Sequence, residues 1–341
     1  MKVLLTGHQG YLGTVMAPLL ARAGHEVVGL DTGLFADCVI GPVPVDPRML
    51  AIDLRDVTAQ HLAGFDAVVH LAALSNDPLG ALAPEITYDI NHAASVRLAR
   101  AAKDAGVSRF LYASTCSVYG SAGEDLVTED APLRPLTPYA ESKVRVEADV
   151  SALADDSFSP SYLRNATAFG FSPRLRADIV LNNLVGHAVL TGEVKVLSDG
   201  TPWRPLVHAR DIAEAFVQTL DAPAEAVHDR AFNVGTEANN VTVAEIAQAV
   251  ADTVPGSRLS ITGETGSDPR SYRVDFSLIR KILPGYEAAW SIADGAAELF
   301  ENYARHGLTQ QSFDHSFTRL AVLKRRQAEG TLDDTMRPSG P

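Results

Sequence analysis

The chain has little of what marks several functional classes. Its 341 residues include only two cysteines, Cys38 and Cys116, too few for a disulfide framework and without the paired Cys/His spacing of a zinc site. No basic run offsets 42 acidic residues against 29 basic ones, and the net charge of −13 argues against non-specific nucleic-acid binding. No apolar run reaches membrane-spanning length, and Lys2-Val3-Leu4-Leu5 opens directly on a strand pattern without a signal segment. These absences predict a cytoplasmic protein with no metal site. What remains is ordinary: with 46% hydrophobic and 21% charged residues, the chain can bury a sizeable core, in two structural parts or in one large α/β unit with a lid.

The first half alternates short apolar runs with longer amphipathic stretches, the pattern of βαβ units around a parallel sheet. Strands are expected at Val3–Leu5, Val27–Leu30, Ala67–Leu71, Arg109–Ala113 and Ser161–Arg164, with helices at Leu12–Ala23, Asn91–Ala105 and Pro138–Ala154. Pro18 inside the first helix should kink it or cost a bond to the Thr14 carbonyl. Beyond about Ala166 the pattern loosens. Helices at Ile179–Thr191, Asp211–Leu220 and Val243–Val254 and strands at Val194–Leu197 and Ala231–Val234 are separated by a loop rich in Gly, Pro and Trp. From Gly330 the composition reads as a loose tail.

Thr137 and Pro138 suit the N-cap and first position of a helix, which brings Tyr139 and Lys143 onto one face. At roughly 4 Å and an effective dielectric of ~20, a unit charge contributes about 4 kcal/mol. That amounts to about 3 pKa units, enough to draw a phenol towards neutrality as a base. Alone, this spacing more often means a half-buried aromatic beside a solvated lysine. Upstream, Gly7-His8-Gln9-Gly10-Tyr11-Leu12-Gly13 follows the first strand and opens the first helix. Glycines in that setting let the backbone approach a pyrophosphate at a helix N-terminus. Asp31, ending the second strand 18 residues after Gly13, can bind a ribose 2′-hydroxyl and repels a 2′-phosphate, which favours NAD over NADP.

The glycine loop, Asp53-Leu54-Arg55-Asp56, His70-Leu71-Ala72-Ala73, Ser114-Thr115-Cys116-Ser117-Val118-Tyr119-Gly120 and Tyr139-x-x-x-Lys143 occur in order. Together they resemble the extended short-chain dehydrogenase/reductases, the NAD-dependent nucleotide-sugar epimerase/dehydratase family, over residues 1–305. The resemblance implies an α/β Rossmann fold, a doubly wound parallel sheet with a smaller C-terminal substrate-binding domain. On that division, residues 1–165, completed by about 205–236, bind NAD; 166–204 and 237–328 bind substrate; and 329–341 form the tail. By the same resemblance Gly7, Gly10, Tyr11, Leu12 and Gly13 bind the cofactor with Asp31. Asp53 and Leu54 contact adenine, Leu71, Ala72 and Ala73 line the cofactor, and Asn91 sits near it. Thr115 holds the sugar hydroxyl, Tyr139 takes its proton, and Lys143 holds the nicotinamide ribose.

A 4,6-dehydratase of this family carries an Asp-Glu pair directly after the threonine; Cys116 and Ser117 stand there instead. The resemblance therefore implies transient oxidation and hydride return, an epimerisation at C4. Cys116 reads as a small buried thiol, with a catalytic role left open. On the substrate side Ser75 and Asn76 face the sugar, while Asn165 and Thr167 stand near the family's substrate-holding asparagine position. Asn183 and Leu184 resemble the pair that binds the nucleotide diphosphate, Arg204 supplies a phosphate ligand, and Arg270 or Arg273 supplies a second. Family members dimerise through two helices per subunit, here 91–105 and 138–154, as a four-helix bundle. A lyase of the 4,6-dehydratase type, a 4-ketoreductase and a non-catalytic NAD sensor stay as alternatives.

Overall fold

The structure, a computed structural model, describes residues 1–75, 83–264 and 270–339, without the side chains of Gly123 and Glu124. Asn76 lies outside the described residues. In chain order the strands are β1 (Lys2–Thr6), β2 (Glu26–Leu30), β3 (Met49–Leu50), β4 (Ala67–His70), β5 (Arg109–Thr115), β6 (Ser121–Val127), β7 (Ser159–Asn165), β8 (Thr167–Phe169), β9 (Glu193–Val196), β10 (Trp203–His208), β11 (Arg230–Val234), β12 (Asn240–Thr242), β13 (Arg258–Ile261) and β14 (Ser271–Val274). The longer helices are α1 (Tyr11–Arg22), α2 (Ala94–Asp104), α3 (Pro138–Ser151), α4 (Val180–Thr191), α5 (Ala209–Asp221), α6 (Val243–Thr253), α7 (Ile292–Arg305) and α8 (Arg319–Ala328).

Seven strands form one parallel sheet in the order β11-β7-β5-β4-β1-β2-β3. Chain direction reverses its progress across the sheet between β1 and β4, the switch point at which such sheets open a ligand crevice. The central strands are apolar on both sides: Val3, Leu5 and Leu111 enter one core cluster with α1 and α5, and Leu4, Val68 and Phe110 enter another with α2 and α3. Two-sided burial explains why these strands read as continuous hydrophobic runs. The fold is the expected Rossmann-type α/β sheet.

A second lobe has its own core, in which Leu181, Leu206, Ile246 and Leu299 are fully buried. It gathers α4, α6 and α7 with the small sheet β12-β10-β8 and the pair β13-β9. The loop rich in Gly, Pro and Trp contains a strand, β10, which pairs with β8 and β12. Residues 271–286 belong by sequence to the substrate part, yet Tyr272, Val274, Phe276 and Tyr286 pack into the α1/α5 side of the large sheet. The reason is β14, which pairs with β6 from the first half of the chain. Helix α1 runs on through Pro18.

The described part of the tail, residues 329–339, is not loose. Leu332 and Met336 are buried, and Arg337 pairs with Asp56 at 2.5 Å. The Gly, Ser and Pro content that suggests disorder is interrupted by an apolar residue every fourth position, and those side chains find a surface to cover.

Candidate active site

One large cavity of about 1010 Å³ runs along the C-terminal edge of the sheet and into the second lobe. Small-molecule cavities usually span roughly 300–1,000 Å³, so this one can hold a dinucleotide and a second ligand end to end. Every described residue assigned to the site by sequence lines it, apart from Asn91.

The phosphate loop owes its shape to close packing. Gly7 has φ +73°, and a Cβ there would meet the Ala72 amide nitrogen at 2.8 Å; a Cβ on Gly13 would lie 2.2 Å from the Gly7 carbonyl oxygen. Backbone fills the space that side chains would need, and α1 starts at Tyr11 with Gly10 as its cap. Asp31 accepts from the Gln9 amide (3.0 Å) and the Gly33 amide (2.9 Å), tying the end of β2 to the glycine loop. Asp53 accepts from the Arg55 amide and, at 2.7 Å, from its guanidinium. Burial alone would raise the Asp53 carboxyl, but Arg55 outweighs it and holds the group below the usual carboxylate range.

Under the cavity floor runs a buried polar chain that sequence reasoning overlooked. Ala72 donates its amide to Thr6 Oγ1 (3.2 Å), Thr6 Oγ1 meets His70 Nδ1 (2.6 Å), His70 Nε2 meets Ser95 Oγ (2.8 Å), and Ser95 Oγ donates to the Asn91 carbonyl (2.7 Å). Burial and then the nearby Lys143 push His70 down to about 3, so it stays neutral. Asn91 does not face the cavity, contrary to the expectation. Its Nδ2 donates to the Leu74 carbonyl (3.0 Å) and its Oδ1 accepts from the Leu74 amide (2.7 Å). A π-helical turn over Tyr88–Ala93 precedes α2, and Asn91 within it clips down the loop after β4. Asn91 thus positions Leu71, Ala72 and Ala73 from behind.

At the centre, β5 ends on Thr115, whose Oγ1 accepts from the Ser117 amide (3.1 Å). Thr137 caps α3 by accepting from the Ala140 amide (3.2 Å), and the helix carries Tyr139 and Lys143 into the cavity as their spacing predicts. Lys143 Nζ lies 5.6 Å from the Tyr139 ring centre and donates to the Ala113 carbonyl at 2.7 Å. Complete burial draws the amine down to about 7, with Glu147 pulling the other way. Cys116 turns away: its thiol donates to the Arg164 carbonyl at 3.0 Å, and burial pushes it well above the usual thiol range. Ser117, one residue later, faces the cavity.

Towards the second lobe, Asn165 reaches the Ser114 carbonyl (3.3 Å), and its buried Oδ1 has no hydrogen-bond partner among the described residues. Thr167, Asn183 and Leu184 line the adjoining wall, and Asn183 donates to the Ala177 carbonyl (2.9 Å). Arg204 donates to the carbonyls of Trp203 and Arg270, and both arginines line the far end with Lys195. Sequence reasoning missed Arg176. Its guanidinium pairs with Asp178 (2.9 Å) and donates to Ser75 Oγ (2.9 Å), so Ser75 is fixed by a residue a hundred positions away. The one local signal was Arg176-Ala177-Asp178, an alternation that suits a side-chain ion pair. Among the described residues no acidic, His and Cys groups cluster as a metal site, and no helix is long and apolar enough to cross a membrane.

A glycine loop at a parallel sheet's switch point, with a threonine, tyrosine and lysine at its C-terminal edge, is the arrangement of a dinucleotide-binding Rossmann fold. The chain belongs to the NAD dependent epimerase/dehydratase family, whose sequence profile matches residues 3–235. A UDP-glucose 4-epimerase from Mycolicibacterium smegmatis is 30% identical over 314 residues, 88% of this chain and 98% of its own length. Among solved structures, MoeE5 in complex with UDP-glucuronic acid and NAD is 29% identical with a TM-score of 0.75, covering 89% of this chain and 99% of its own. The UDP-glucose-4-epimerase of Stenotrophomonas maltophila, with NAD and formylated UDP-arabinopyranose, is 28% identical with a TM-score of 0.77, covering 89% and 98%. The cofactor is NAD, and the backbone cradle at Gly7–Gly13 with Asp31 beyond it fits that dinucleotide.

Proposed function

We propose that the protein is a nucleotide-sugar epimerase that oxidises a ring hydroxyl, at C4, and returns hydride to the opposite face of the same carbon. The observation that carries this reading concerns carboxylates. Among the described residues lining the cavity these are Asp31, Asp53 and Asp178. The first two lie at the adenosine end, engaged with loop amides and Arg55, and Asp178 is clamped by Arg176. None is placed as a second acid or base beside Thr115, where elimination of water would need one.

In this reading Thr115 orients the hydroxyl and Tyr139 withdraws its proton as the ring carbon becomes a ketone. Lys143, on the next turn of α3, favours the phenolate whenever it carries its proton. Bound NAD supplies the hydride acceptor and donor. Tyr139 then gives the proton back to the re-formed alkoxide, and Arg204 and Arg270 hold the nucleotide diphosphate while the sugar turns over. The UDP-sugars named for the relatives are the first substrates to test. A four-helix homodimer through residues 91–105 and 138–154 and a cytoplasmic location belong to the same reading.

Incubation with a panel of nucleotide sugars in deuterated water tests the reaction. An epimer without solvent deuterium on carbon is expected. Deuterium on carbon, or net consumption of added NADH, would replace this reading by elimination or by ketoreduction. Tyr139→Phe should retain NAD yet lower turnover by at least about 100-fold; near-normal turnover would remove Tyr139 as the base.

A further inference from the structure

The family profile ends at residue 235, but the cavity wall does not. Thr318, Arg319, Leu320, Leu323 and Met336 all line it. Their segment is fastened to the loops around the cofactor's adenosine end by three arginines from both sides. Arg326 pairs with Asp37 (2.7 Å), Arg337 with Asp56 (2.5 Å), and Arg55 donates to the Thr335 carbonyl (2.8 Å). Beneath these contacts Leu323, Leu332 and Met336 pack against Leu74, Leu34 and Phe35.

Arg319 is the unusual member. It is 4% exposed, its guanidinium stacks 4.4 Å over the Phe35 ring, and its Nη2 donates to the Arg174 carbonyl (3.2 Å). Its Nη1 is buried with no hydrogen-bond partner among the described residues. A buried cation with an orphaned donor is costly unless an anion arrives to use it. The surrounding sequence is short of alternatives. Residues 26–47, 71–75 and 83–90, which carry the loops over the adenosine end, contain no lysine or arginine. Elsewhere on the described wall, Lys143 is held by Ala113 and Arg176 by Asp178, while Arg204, Arg270 and Lys195 stand at the far end. Arg174 links the two sides, because the residue whose carbonyl holds Arg319 also donates through Nη1 to Thr14 in α1 (3.0 Å). Arg319 is thus tied through Arg174 to the helix whose N-terminus faces a dinucleotide's phosphates.

We propose that Arg319 binds the diphosphate of NAD, and that residues 318–339 form a cover over the cofactor's adenosine end. The phosphate loop supplies backbone amides and a helix terminus, and the C-terminal segment supplies the full charge that the loop lacks. A cofactor regenerated within each cycle has no need to leave, and a cover tied down by two ion pairs, an arginine–carbonyl hydrogen bond and a buried apolar cluster suits one that stays.

The test reads binding, so it stands whichever reaction the enzyme performs. NAD retention after prolonged dialysis, and displacement of bound NAD by ADP, adenosine or UDP, would be compared for the wild type, Arg319→Leu and Arg319→Lys. Arg319→Leu should weaken NAD and ADP by about 10- to 100-fold and leave adenosine unchanged, and Arg319→Lys should recover part of the loss. Arg337→Ala, which only unlatches the cover, should speed NAD release while preserving the preference for ADP over adenosine. Equal losses for ADP and adenosine would reduce Arg319 to a packing role. A loss confined to UDP would move its ligand to the substrate, and unchanged NAD retention would overturn the proposal.

Discussion

The two halves of the cavity are built by different means. The cofactor half is made of backbone: the β1–α1 turn, the ends of β2 and β4, and glycines whose missing side chains are filled by neighbouring main chain. The substrate half is made of side chains that arrive from β7, β8, α4, β10 and the segment at Arg270, of which Asn165, Asn183 and Arg204 are steadied by main-chain carbonyls. A backbone site tolerates little change but is encoded within a few consecutive residues. A side-chain site can be altered one residue at a time, and its code is scattered along the chain.

The largest effect should come from overfilling the backbone half. Gly13→Val would drive atoms into the Gly7 carbonyl and the His8 backbone, which lie within 2.5 Å of even a Cβ. Neither neighbour is a side chain that can swing away, so a cost of at least about 3 kcal/mol is expected, with no NAD retained on purification. Thermal unfolding and the absorbance of released cofactor would measure both. A Gly13→Val protein that still carries NAD would mean the loop is less tightly packed than its geometry requires.

Arg204→Ala probes the other half and should be milder. One charge-assisted contact to a phosphate is worth about 1.5–3 kcal/mol, so KM for the nucleotide sugar should rise about 10- to 100-fold while NAD content stays constant. If NAD content fell as well, the halves would not be independent and the contrast between them would fail.

The same contrast decides what could be read from sequence. Gly7–Gly13, Asp31 and the Tyr139–Lys143 pair are local patterns, each tied to a turn or a helical period, and all of them reach the cavity. Arg176 and Arg319 were not legible, because nothing near either one signals that tertiary packing brings it to the wall. Asn91 was found by its place in a motif, yet it works from behind the floor, since the π-helical turn that carries it points its amide at Leu74. Strands β10 and β14 escaped notice for a simpler reason. One holds Pro205, and both pair with partners far away in the chain.

The smallest effect per step of measurement, one pH unit, lies where the halves meet. Burial draws Lys143 down to about 7, whereas in an unfolded chain a lysine titrates near ~10.4. Between those values the unfolded chain holds a proton that the folded, NAD-stripped protein lacks. Protons therefore favour unfolding there, and stability rises as pH climbs from about 7 towards ~10.4. Below about 7 both states are protonated and this contribution is flat at its least favourable level. The slope from this one group is at most about 1.4 kcal/mol per pH unit. Lys143→Met should flatten it, which denaturant titrations at a series of pH values would reveal by difference. If the slope survived in Lys143→Met, the strain at the junction would belong to another group. If it vanished, the amine that steadies Tyr139 would be held at an energetic cost that the cofactor-free fold bears alone.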